Sequence, residues 1–127
     1  MTKQEFKKFV QNQCIANGFK KIKSCYYLAG KDSLCKIWLQ KSNYGNIYYV
    51  NYDYYDGFND YNTIPSNETR INGGGRIVVM SRTQKYKGEF FLTGLIEYEE
   101  YTESELYPYF EREFKTNILP RLLQWGR

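Results

Sequence analysis

Any chemistry in this chain would fall to carboxylates, because its 127 residues include no histidine to move a proton near neutral pH. Asp53, Asp56 and Asp60 are the densest candidates, with Glu97, Glu99 and Glu100 next. With Asp53 on a strand and the other two in the loop after it, the three could converge on a cation or tune one acid. The run Asp56-Gly57-Phe58-Asn59-Asp60 lacks the closing bidentate Glu of a twelve-residue calcium loop, so a solvated loop is the plainer reading. Asn72-Gly73-Gly74-Gly75-Arg76 invites a phosphate-cradle reading, but it leads into Ile77-Val78-Val79 and not into a helix with a Lys-Ser pair. A turn or bulge accounts for it better.

The other conspicuous residues are tyrosines. Tyr44, Tyr48, Tyr49, Tyr52, Tyr54, Tyr55 and Tyr61 fall within one short stretch. In a strand, Tyr48, Tyr52 and Tyr54 share a face with Val50, and Tyr49 and Tyr55 point the other way. Tyrosine suits strands and keeps its hydroxyl wet, so a sheet with tyrosines at core edges is the structural explanation. If the rings are instead exposed, Tyr with Arg makes a protein-binding hot spot. Alternatively, the rings stack unpaired bases while Lys36, Lys41, Arg76 and Arg82 follow the phosphates. Asp53, Asp56 and Asp60 would repel that backbone.

The elements that position these residues follow from patterning. Thr2 and Glu5 form a capping box, and Phe6, Phe9, Val10 and Cys14 keep helical spacing, predicting a helix over 2–17 that ends at Gly18. Phe19 to Leu28 reads as one strand. Leu34 to Lys41 reads as its hairpin partner, with Cys35, Ile37 and Leu39 alternating with Lys36, Trp38 and Gln40. Ile47 to Tyr55 is a third strand, and 56–75 is a long loop. Arg76 to Arg82 and Glu89 to Tyr98 suggest a second hairpin. Thr102 and Glu105 form another capping box, after which Leu106, Phe110, Phe114, Ile118, Leu122 and Trp125 mark a helix that Pro120 should bend.

Composition bounds the rest. The chain is 42% hydrophobic and 19% aromatic, too apolar for global disorder and of a size for one domain, 1–127. No secretory or membrane-spanning segment is legible, and the longest apolar run is Ile77-Val78-Val79-Met80. Cys14, Cys25 and Cys35 are odd in number without C-x-x-C spacing, and read as reduced thiols in a cytoplasmic protein. The net charge of +4 is blocked: nine lysines against two acids over 1–41, acids alone over 42–69, bases alone over 70–88, then an acidic excess. Alternating blocks complement one another within a fold and weaken the case for nucleic acid.

Gly18-Phe19-Lys20-Lys21, Leu39-Gln40-Lys41-Ser42, Tyr49-Val50-Asn51 and the closing Ile118-Leu119-Pro120-Arg121-Leu122 are similar to a bacterial family, domain of unknown function 4304. The resemblance implies a small bacterial domain closing on a helix with a proline near its end. It carries over no catalytic residue, cofactor or reaction.

The combined expectation is an α+β domain, with a four- to five-stranded, mainly antiparallel sheet and the N- and C-terminal helices packed on one face. The leading functional reading is a non-enzymatic protein-binding domain that needs no cofactor or metal. Its partner would be a toxin it neutralises, another protein or a second copy of itself. Tyr48, Tyr52, Tyr54, Asp53, Asp56, Asp60 and Arg76 are the candidate binding residues. The alternatives are single-stranded nucleic-acid binding and a carboxylate enzyme.

Overall fold

A computed structural model of the protein describes residues 1–80 and 94–124. Helix α1, Lys3–Ala16, begins on the Thr2/Glu5 capping box and ends where Gly18 takes φ +90°. Five strands follow: β1 Lys20–Ile22, β2 Cys25–Ala29, β3 Ser33–Lys41, β4 Tyr48–Asp56 and β5 Gly74–Arg76. They pair antiparallel in the order of the chain, β1-β2-β3-β4-β5. After a short 3-10 turn at Tyr98–Glu100 come α2, Glu103–Glu113, a π turn at Phe114–Ile118 and α3, Leu119–Gln124.

The fold is therefore α+β, with an antiparallel sheet and helices at both ends of the chain. The run from Phe19 to Leu28, expected as one strand, is two. Lys23 takes φ +58° and turns the chain so that Ile22 pairs with Cys25. A lysine in the left-handed region carries none of the Gly or Asn signature of a tight turn, which is why the break is unmarked in the sequence. The hairpin expected from Arg76–Arg82 and Glu89–Tyr98 lies largely outside the described residues, as does Trp125. Within the described part, Ile96 bridges to Tyr48.

Pro120 acts as its chemistry requires. It has no N–H for the turn before it, and its ring crowds the carbonyl four residues back. The chain answers by widening into the π turn at Phe114–Ile118 before α3 resumes. Leu106, Phe110, Phe114, Ile118 and Leu122 are all buried despite the wider turn.

One core lies between the helices and one sheet face. β3 and β4 pair as Cys35 with Tyr54, Ile37 with Tyr52 and Leu39 with Val50, so these side chains share a face. The helices cover it: Phe9 meets Phe110 edge-on, Phe6 stacks on Tyr48, and Phe19 meets Phe114. Among the described residues no helix is long and apolar enough to cross a membrane.

Candidate functional site

Side-chain alternation decides which residues can meet a partner. Tyr48, Tyr52 and Tyr54 lie on the helix-covered face and are 4%, 8% and 4% exposed. The Tyr52 hydroxyl donates to Glu113 Oε1 at 2.6 Å, and the Tyr54 hydroxyl reaches the Asn117 carbonyl at 3.4 Å. Burial pushes both phenols well above their usual pKa. These three rings are core, and they offer no surface to a partner or to bases.

The opposite face carries Lys36 beside Asp53, Trp38 beside Asn51, and Gln40 beside Tyr49, with Arg76 next to Asn51 on β5. One end of this face is closed by the loop after β4. There Phe58 packs edge-on against Tyr55, and Tyr61 accepts the Ala29 N–H at 3.0 Å while the Lys20 ammonium sits over its ring. At the other end Trp38, Gln40, Tyr49, Asp53 and Arg76 stay part-exposed.

That open patch is held in place by its own polar groups. The Trp38 indole N–H donates to Asp53 Oδ2 at 2.8 Å. Arg76 Nε donates to Asn51 Oδ1 at 2.7 Å, and its Nη2 donates to Gln40 Oε1 at 3.1 Å. Gln40 Oε1 also accepts from Asn51 Nδ2 at 3.1 Å. The guanidinium lies 4.2 Å from the Tyr49 ring centroid, and Lys36 Nζ approaches the Trp38 ring at 5.9 Å. The outcome is an indole, a phenol and a guanidinium each fixed in one orientation.

The three aspartates do not come together. Asp53 is engaged by Trp38. Asp56 pairs with Ser33 at the strand end, on the other parity, and lines an acidic cleft of about 430 Å³ with Asp32. Asp60 caps the loop backbone, accepting from the N–H groups of Asn62 and Thr63. Among the described residues no three His, Cys, Asp or Glu are grouped to hold a metal. The thiols offer no nucleophile in the core: burial pushes Cys14 up to about 12 and Cys35 well above its usual value. Glu5 and Glu111 are held below the usual carboxylate range by hydrogen bonds from Thr2 and from Tyr107 and Lys115, the wrong direction for a general acid.

The glycine run builds no phosphate cradle. Gly74 and Gly75 belong to β5, packed so closely on Tyr52 that a Cβ on Gly75 would sit 2.7 Å from its hydroxyl oxygen. Of the bases expected to follow phosphates, Lys36 and Arg76 share the open face, Lys41 lies on the other parity, and Arg82 is outside the described residues.

A second feature adjoins the patch at Trp38. A groove of about 740 Å³ runs between α1, the β1–β2 turn and the end of β3, and Lys7, Lys8, Lys21, Lys23 and Lys41 line it. The lysine excess over 1–41 is legible in the sequence, but its gathering in one groove depends on how α1 and the β1–β2 turn meet β3.

Over residues 10–80 the sequence matches the pattern that defines a family described as a domain of unknown function (DUF4304). The chain belongs to that family. The DUF4304 match takes in the second half of α1 and the whole sheet, and with them Trp38, Tyr49, Arg76 and the β-strand part of the groove. It stops before the closing helix, so the likeness around Pro120 lies beyond the matched span. No curated protein and no solved structure matches the chain.

Proposed function

We propose that this DUF4304 protein is a non-enzymatic binding domain whose partner is another protein, held on the open sheet face by Trp38, Tyr49 and Arg76. The observation that carries the reading is the fixing of these three side chains by Asp53, Asn51 and Gln40. Trp, Tyr and Arg contribute most of the energy in protein interfaces, and side chains already held in place lose less freedom on binding. A second copy of the chain could supply the same chemistry. The buried free thiols Cys14 and Cys35 suit a reducing, cytoplasmic setting.

The tyrosines weigh against single-stranded nucleic acid, since Tyr48, Tyr52 and Tyr54 are under the helices and cannot stack bases. The scattered aspartates weigh against a carboxylate enzyme. The test compares immobilised wild-type protein with Trp38→Ala and with Trp38→Ala/Arg76→Ala as baits in native lysate, with self-association followed by light scattering. A stoichiometric partner, or a dimer, that the folded variants lose supports the reading. A bare monomer with no captured protein, or capture indifferent to both variants, overturns it.

A further inference from the structure

The groove beside β3 bears on the chemistry of the partner, an inference that rests on the domain being a protein-binding module. Its five lysines come from three places: Lys7 and Lys8 on α1, Lys21 and Lys23 on the β1–β2 hairpin, and Lys41 at the end of β3. All five are exposed. No carboxylate is among the described residues lining the groove, and none of the five forms an ion pair with a described residue. Protein surfaces ordinarily intersperse both signs, so a single-sign groove concentrates anions.

The groove also holds an unpaired strand edge. The register of β2 against β3 reaches Tyr26 opposite Ile37, while β3 runs on to Lys41 with no described strand on that side. Which backbone groups lie along this edge follows from β4. Tyr54 N–H bonds the Gly73 carbonyl and the Val50 carbonyl accepts from Ile77 N–H, so Val50, Tyr52 and Tyr54 direct their backbone groups toward β5. Leu39 stands opposite Val50 and Lys41 opposite Tyr48, so their N–H and C=O groups turn away from β4, into the groove. Free donors and acceptors on a strand edge are what an extended polypeptide pairs with. Stacking successive bases, by contrast, needs several open aromatic faces; of the rings lining this groove Tyr26 and Tyr48 are buried, and the part-exposed Trp38 is bonded to the Asp53 carboxylate, which repels phosphate.

We propose that the groove receives an acidic, extended segment of the partner protein. The segment pairs with β3 at Leu39 and Lys41 while its carboxylates meet the five lysines, and Trp38 joins this contact to the open face.

The probe is a fluorescent ten-residue peptide of alternating Glu and Val, titrated by anisotropy at low salt. Three controls accompany it: a Lys-Val peptide, a Glu-Val peptide interrupted by proline, and a ten-base oligothymidine. The Glu-Val peptide should bind and the Lys-Val peptide should not. Lys8→Gln/Lys23→Gln/Lys41→Gln should weaken binding by about ten-fold, as several exposed charge pairs are lost together. Proline should weaken it by a similar factor, and bound peptide should slow amide exchange at Leu39 and Lys41. Equal binding of Glu-Val and Lys-Val peptides overturns the proposal, as does equal binding of the proline peptide. Tighter, lysine-dependent binding of oligothymidine overturns it in favour of nucleic acid. If the acidic peptide fails while Trp38→Ala still releases a captured partner, only the acidic segment falls. If the peptide binds but Trp38→Ala releases nothing, the open face falls and the groove stands.

Discussion

Replacing Arg76 with alanine tests whether the open face is pre-ordered, because this one side chain ties three of its neighbours. The substitution removes the hydrogen bonds to Asn51 Oδ1 and Gln40 Oε1 and the stack on Tyr49. A hydrogen bond from a charged donor contributes about 1.5–3 kcal/mol when buried, and partial exposure of Arg76 reduces each to about 1 kcal/mol. The stack adds about 0.5–1 kcal/mol. Asn51 is only 6% exposed, so its oxygen would lose a donor that water replaces poorly. Together these give a loss of about 3 kcal/mol, or a fall in Tm of about 10 °C in a domain of this length.

Urea denaturation of four proteins (wild type, Arg76→Ala, Asn51→Ala and the double variant) separates the network from general damage. A coupling of about 1–2 kcal/mol between the two sites is expected, because each truncation removes what the other residue bonds. Arg76→Lys should recover under half of the loss, since a lysine cannot offer two donors in a fixed fork. A cost below about 1 kcal/mol for Arg76→Ala, with no coupling to Asn51, would refute the idea of a pre-ordered face.

Two further outcomes follow from the core and from β5. Burial raises Cys14 and Tyr27 to about 12 from 9.0 and 10.0, and raises Cys35, Tyr52 and Tyr54 as well. Each folded pKa lies above its unfolded value, so the unfolded chain loses these protons first; stability is fully present below about pH 9 and falls as pH climbs toward 12. Thermal melts between pH 8 and pH 11 should show this decline, and a flat Tm would contradict it. Gly74→Ala places a Cβ 2.3 Å from the Tyr52 carbonyl oxygen at φ +155°, whereas Gly45→Ala at φ +131° meets nothing within 4 Å. The first should cost about 3 kcal/mol or more and the second about 1 kcal/mol by denaturant unfolding; equal costs would mean that β5 yields freely.

Legibility from sequence divided along physical lines. Both capping boxes and the alternation of Cys35, Ile37 and Leu39 are local signals read from neighbouring residues, and they place α1, β3 and the start of α2 within a residue or two of the structure, whereas the end of α2 at Glu113 and the π turn after it carry no such mark. The turn at Lys23-Ser24 carried no such signal. Alternation puts Tyr48, Tyr52 and Tyr54 on one face, as in the structure, but alternation alone does not say which face a helix covers. That is decided by contacts distant along the chain, such as Tyr52 with Glu113. Trp38 was legible in principle: once Ile37 and Leu39 point to the core, the residue between them points outward. Its fixed orientation comes from Asp53, fifteen residues on, a contact that local spacing does not mark.

The same parity ties the core to the proposed surface. Tyr49 and Tyr55 leave the helix face because Tyr48, Val50 and Tyr54 occupy it, and the two meet different fates on the other side. Tyr55 is covered by Phe58 from the loop after β4, whereas Tyr49 lies beyond that loop's reach and stacks on Arg76 instead. A loop that followed the sheet further would bury Trp38 and Tyr49 and gain apolar contact area, a direct route to greater stability. Here the described loop stops short, and four polar side chains, Asp53, Asn51, Gln40 and Arg76, hold the aromatic residues half-exposed. Polar networks of this kind contribute less to stability than apolar cover would, and more to fixing geometry. On that reasoning, replacing Arg76, Asn51 and Gln40 together with leucine, so that no donor or acceptor of the network is left unpaired, should leave stability unchanged or raise it while abolishing capture of the partner. A variant that keeps its partner would show that the network serves the fold alone.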